Sequence, residues 1–120
     1  TDQRIIQCDY DIAAGREACR QLMGLHQPPT AIICSNDVLA TGALLECQAS
    51  GISVPTQVSI SGFDDLALSA NLTPSLTTIN IPFKLMGQKA AHYLTDRLAG
   101  ATPSPRTQLE VSLVVRNSTA

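Results

Sequence analysis

The sequence predicts an α/β domain with a mostly parallel sheet flanked by helices. Short apolar runs alternate with helical stripes along the chain, in the order strand, helix, strand, helix, strand, then an extended segment, a helix and a last strand. Hydrophobic residues reach 44% with only 3% aromatics, which suits small aliphatic layers. Polar residues gather just after the apolar runs, as Asp9-Tyr10, Asn36-Asp37 and Asp64-Asp65.

Residues 4–8 read as a first short strand. Residues 14–25 read as a helix with Ala18, Leu22 and Leu25 on one face, stopped by Pro28-Pro29. Residues 30–34 are an apolar run of the kind covered on both faces. Ser35-Asn36-Asp37 are three capping residues opening a helix whose inner stripe is Ala40, Ala43, Leu44 and Cys47. Gly51 stands where a helix C-terminal glycine belongs. Residues 58–63 alternate with period two, as a strand does. Residues 66–70 predict a short helix, 71–74 a turn and 76–81 an extended segment. Pro82 suits the first turn of a helix that reaches about residue 98, with Ala90, Ala91, Leu94 and Leu98 inward. Residues 101–107 form a loop, 109–116 a final strand, and the last residues fray. Parallel connections of this kind are right-handed crossovers.

Composition removes several functions. Eight Lys+Arg against ten Asp+Glu give a net charge of −2 and no electrostatic footprint for phosphates. Charged residues are 15%, below the roughly 25% of typical soluble proteins. The apolar fraction argues against disorder. No apolar run approaches the roughly 18 residues of a membrane span, and no signal-peptide pattern opens the chain, so a cytoplasmic setting is expected. Cys8, Cys19, Cys34 and Cys47 contain no CxxC pair and read as reduced, buried thiols. His26 and His92 lack a metal-ligand partner at useful spacing. There is no GxGxxG, phosphate loop or GxSxG, so no catalytic residue, metal or cofactor is expected.

Ligands of parallel sheets lie beyond the carboxyl ends of the strands, which singles out the strand-end residues. Asp64 and Asp65 are adjacent, so from extended backbone their side chains point apart. Such a pair suits acid–base work or a cation, a cap with a solvent-facing partner, or acceptance of ligand hydroxyls, since a carboxylate offers about four lone-pair sites. Asn36 is an N-cap by type, and its amide also suits a sugar hydroxyl. Asp37 fits the helix dipole. Tyr10, one of two tyrosines, is a loop aromatic or a platform against a ring.

Five blocks carry a resemblance: Pro29-Thr-Ala-Ile-Ile-Cys-Ser-Asn-Asp37, Gly42-Ala-Leu, Gly51-Ile-Ser-Val-Pro55, Val58-Ser-Ile-Ser-Gly-Phe-Asp-Asp65 and Leu72-Thr-Pro-Ser-Leu-Thr-Thr-Ile79, with Leu113-Val-Val-Arg116 toward the end. In this order and spacing they resemble the lactose/galactose repressor (LacI/GalR) family over essentially the whole chain. The resemblance implies an incomplete lobe of a periplasmic-binding-protein-like (type I) fold, in which two α/β lobes close over a small effector. Residues 1–79 resemble most of the C-terminal lobe, 80–108 the return into the N-terminal lobe, and 109–120 the closing strand and tail near the hinge.

The implied function is effector sensing, for a sugar or similar ligand, and dimerisation within a bacterial DNA-binding transcriptional regulator. Operator DNA would be held by a headpiece that these residues lack. The implied effector residues are Asn36, Asp64, Tyr10 and Phe83. Cys8 and Arg16 depart from the family pattern beside Tyr10. The implied homodimer interface is the helix over 37–50 and the turn at 69–72, where Leu39 and Leu45 lie off the inner stripe and Leu72 lies in the turn. A periplasmic sugar-binding protein of an ABC transport system is the alternative.

Overall fold

The computed structural model describes residues 4–120. Its elements are α1 (Ile12–Met23), β1 (Ala31–Ile33), α2 (Asp37–Ala49), β2 (Ser59–Ser61), a 3-10 turn (Ser69–Asn71), β3 (Thr78–Asn80), α3 (Phe83–Leu98) and β4 (Ser112–Val114). The chain divides into a unit of Thr1–Asn80 with Leu113–Ala120 and a second unit, Ile81–Ser112.

In the first unit β1 and β2 run parallel, with Ala31 opposite Ser59, Ile32 opposite Ile60 and Ile33 opposite Ser61. Parallel bridges Ser61–Thr77 and Asp64–Asn80 bring β3 to the far side of β2. The Gly62 N–H donates to Thr77 O at 2.9 Å and the Asp64 N–H to Ile79 O at 3.0 Å. The expected α/β order with parallel strands is therefore present, and β4 pairs with β3. The core joins Ile32, Val58, Ile60 and Leu76 to Cys19, Leu22, Ala40, Ala43, Leu44 and Cys47 of the helices. The expected inner stripe of α2 is thus in place, and Gly51 follows the helix at φ 69°.

The helices α1 and α2 touch through glycines. A Cβ on Gly15 would lie 2.5 Å from Leu39 O, and one on Gly42 would lie 2.9 Å from Arg16 N. Only hydrogen atoms at these two positions let the helix backbones come so close. Glu46 of α2 then reaches Arg16 Nε and Arg20 Nε of α1, each at 3.0 Å. The hydrogen bonds from these arginines hold its carboxyl below the usual carboxylate range.

Several expectations are corrected. Residues 4–8 form no strand; Ile5, Ile6 and Cys8 instead line a groove of 410 Å³ together with β1 and the two helices. Only one face of β1 is covered: Ile32 is buried, while Ile33 is 87% exposed. The buried face of α1 is Gly15, Cys19 and Leu22, one position round from the predicted stripe, because Gly15 sets the contact with α2. No residue of α3 is buried, so Ala90, Ala91, Leu94 and Leu98 do not face a core. The short helix falls at 69–71 rather than 66–70, and β4 is only three residues long.

The last residues are not frayed. Ser118 is fully buried, its hydroxyl donating to Ile60 O at 2.6 Å and accepting from the Thr77 N–H at 2.8 Å. It therefore ties β2 to the approach of β3. Of the cysteines, Cys19 and Cys47 are buried with their sulfurs 3.7 Å apart, and Cys8 and Cys34 are half-buried; all four are free.

Candidate functional site

The three parallel strands end on the same side, and their ends are linked by backbone. The Asp37 N–H donates to Phe63 O at 2.9 Å, which joins the residues after β1 to those after β2. Asn36 is the N-cap of α2: its Oδ1 accepts from the Leu39 N–H at 2.8 Å. Its amide nitrogen donates to no described residue, so the capping role leaves two donors over.

Asp64 and Asp65 have different jobs. Both carry positive φ, 118° and 53°. That is uncommon for a residue with a Cβ, and such strain gathers at sites where a side chain must be held in place. Asp65 accepts from Arg116 Nη2 at 2.7 Å and from Asn80 Nδ2 at 2.9 Å. These bonds hold its carboxyl below the usual range. Arg116 also donates to Leu76 O at 2.8 Å. Asp65 is therefore satisfied by the protein and latches the tail to the loop.

The Asp64 carboxylate, half-buried, accepts no hydrogen bond from any described residue. Burial and the nearby charge of Asp37 push its pKa up. A half-desolvated carboxylate without a protein donor keeps its acceptor sites open.

Asp37 stands in the first turn of α2, as the helix-dipole expectation requires, and it does more than that. It is 1% exposed. Its Oδ2 accepts from the Leu66 N–H at 2.9 Å and the Ser69 hydroxyl at 2.5 Å, and its Oδ1 from the Thr78 hydroxyl at 2.6 Å. A Cβ on Gly62 would collide with Oδ1, which is why glycine follows β2. The partners lie about thirty to forty positions away, so no local signal could have exposed this role. The side-chain bonds of Arg116 and Ser118 likewise reach partners forty or more positions away.

Tyr10 precedes the α1 N-cap Asp11 and is 71% exposed. Phe83 opens α3 in the second unit and is half-exposed. Of the candidate interface leucines, Leu45 is exposed and Leu72 is partly buried against the core. Leu39 corrects the expectation of an exposed side chain, because the close approach of α1 buries it to 8%.

The periplasmic binding protein-like domain matches residues 2–119. The chain is 39% identical over 118 residues to the HTH-type transcriptional repressor CytR of Escherichia coli (strain K12), covering 98% of this chain and 35% of that protein. Among solved structures, a transcriptional regulator LacI from Bacillus cereus subsp. cytotoxis superposes with a TM-score of 0.95 at 30% identity, covering 100% of this chain and 43% of that one. A LacI family transcriptional regulator from Arthrobacter sp. FB24, in complex with lactose, gives 0.84 at 32% identity, covering 94% and 43%. The chain thus spans about a third of its curated relative's length. It belongs to the periplasmic binding protein-like domain family, in the branch shared with LacI-family transcriptional regulators.

Proposed function

We propose that this chain is the effector-sensing part of a transcriptional regulator, with a small polyol such as a sugar as its ligand. The observation that carries the reading is Asp64. A half-buried carboxylate, held at positive φ beyond the strand ends and left without a protein donor, fits a ligand hydroxyl. Asn36 adds donors beside it. The lactose held by the Arthrobacter regulator supports the sugar class.

On this reading residues 1–79 and 109–120 belong to one lobe and its hinge, 80–108 return to the other, and Tyr10 and Phe83 close on the ligand ring. Ligand-driven closure shifts a two-state equilibrium that a DNA-binding headpiece reads. The site has no catalytic role. Two copies associate through Leu45 and Leu72, with Leu39 supporting α2 from inside.

The test is a calorimetric and thermal-shift screen of neutral mono- and disaccharides on the protein. A sugar that binds the parent and loses at least about tenfold in affinity with Asp64→Ala, the order of one charged hydrogen bond, supports the reading. Full affinity in that variant refutes it. Light scattering tests the dimer, and a Leu45→Glu variant should release monomers.

A further inference from the structure

The strained loop after β2 needs something to hold it, and the fold places one group where it can. We infer that Asp37 is the positioning residue of this site: its buried carboxylate pins the loop at 62–71 and so fixes the backbone on which Asp64 stands.

The argument starts from the donors. Leu66 and Ser69 come from the loop itself and Thr78 from β3, and all three donate to the one carboxylate of Asp37. The Asp37 N–H returns a bond to Phe63 O, one residue before Asp64. The loop is thus gripped just ahead of Asp64 and again just behind Asp65. On its far side the Asp64 N–H is held by Ile79 O, and Asp65 by Asn80 and Arg116. Left-handed backbone at two successive aspartates persists only when its surroundings over-determine it. These grips supply that, and the Asp37 carboxylate is the buried centre of them. Because Asn36 caps α2 from the preceding position, the turn that carries Asn36 is the one that sets Asp64. The two residues read as ligand-facing are therefore kept in register by Asp37 between them.

This inference rests on the reading of Asp64 as ligand-facing, but its test needs no ligand. The measurements are amide hydrogen exchange at Asp64, Leu66 and Asn71, and the carboxyl titration of Asp64 followed by carbon NMR. In Asp37→Ala, exchange across 62–71 should quicken by about tenfold or more, the order expected for withdrawing a buried charged acceptor, while α1 and the interior of α2 keep their protection. Asp37→Asn retains an acceptor for Leu66 and Ser69, so it should restore much of that protection. It removes the charge, so the titration midpoint of Asp64 should still fall toward the ordinary carboxylate range.

If Asp37→Ala does not fold, Ser69→Ala carries the test by withdrawing a single donor. Faster exchange confined to 62–71 supports the inference. Loop exchange at the parent rate in the folded Asp37→Ala or Ser69→Ala variant overturns it, as does an unmoved Asp64 midpoint in Asp37→Asn. A sugar screen without a binder would defeat the ligand reading and leave these outcomes untouched.

Discussion

Replacing Gly42 with alanine sets two effects against each other, and the geometry decides between them. In an exposed helix interior the change stabilises by up to about 1 kcal/mol, because glycine is a poor helix former. At Gly42 the new Cβ would meet Arg16 N at 2.9 Å and Gly15 C at 3.0 Å, with Ile12 O closer still. Ordinary contact begins near 3.4 Å, so α1 must retreat by up to about an ångström. All three neighbours are backbone atoms, so no side chain can swing aside. Retreat loosens Cys19 and Leu22, which α1 contributes to the core. Overpacking of this kind costs about 1–3 kcal/mol and more where the backbone is the obstacle, so the net change should be a loss of about 1–3 kcal/mol. Urea unfolding followed by circular dichroism should show a lower midpoint at unchanged slope. In a thermal scan each kcal/mol should lower the melting point by roughly 4–8 °C. Gly87→Ala is the control, since a Cβ there meets nothing within 4 Å and helicity alone should respond. A Gly42→Ala variant as stable as the parent would mean that the helices do not pack as described.

Four further changes probe the site and its supports. Asp64→Asn should raise stability at neutral pH while weakening ligand binding. The folded carboxyl titrates above its unfolded value, so its contribution is present below the unfolded pKa and lost as pH rises through the folded one. Comparing urea midpoints at pH 4 and pH 7 checks this, and a variant that gains nothing at pH 7 would contradict it. Asp65→Asn has the opposite sign, because Asn80 and Arg116 depress that carboxyl; the parent should lose stability as pH falls through the folded pKa, and the variant should lose less. Ser118→Ala should cost about 1–3 kcal/mol in the same unfolding assay, since the Thr77 N–H loses its buried acceptor and Ile60 O a donor. Alkylation read by mass spectrometry should leave Cys34, whose thiol burial pushes up to about 12, and the buried Cys19 and Cys47 unmodified until the chain unfolds.

What could be read in advance was what neighbours in sequence decide. The Asn36 cap, the α2 stripe and the Gly51 terminus rest on contacts within a few residues, and each was legible. Residues 4–8 were misread because a strand is defined by its partner, and an apolar run cannot announce a groove beside it. The α1 face slipped by one position because periodicity ranks leucine and alanine above glycine, yet Gly15 is the residue on which α2 sits. Ser118 and Arg116 bind partners some forty to sixty positions away, and residue type alone marks neither.

The candidate site shows the same division, and the division carries information. Asp64 and Asp65 look equivalent in sequence, and only the fold separates them. Both stand on positive-φ backbone, but one is saturated by Asn80 and Arg116, while the other is left without a donor and raised in pKa. A sequence optimised for stability alone would place glycine or asparagine at such a φ and would give a half-buried carboxylate a partner. Asp64 breaks both rules at once. Around it, Asp37, Asp65 and Arg116 obey the rule of satisfied polar groups closely. The strain spans both aspartates, but only Asp64 lacks a donor; on the proposed function that is what a binding site requires, because the acceptor must stay unpaired in the position the ligand needs. On the proposed function, the destabilising ionisation of Asp64 is the cost to the fold of keeping that acceptor ready. A ligand hydroxyl that satisfies it should return part of that stability on binding.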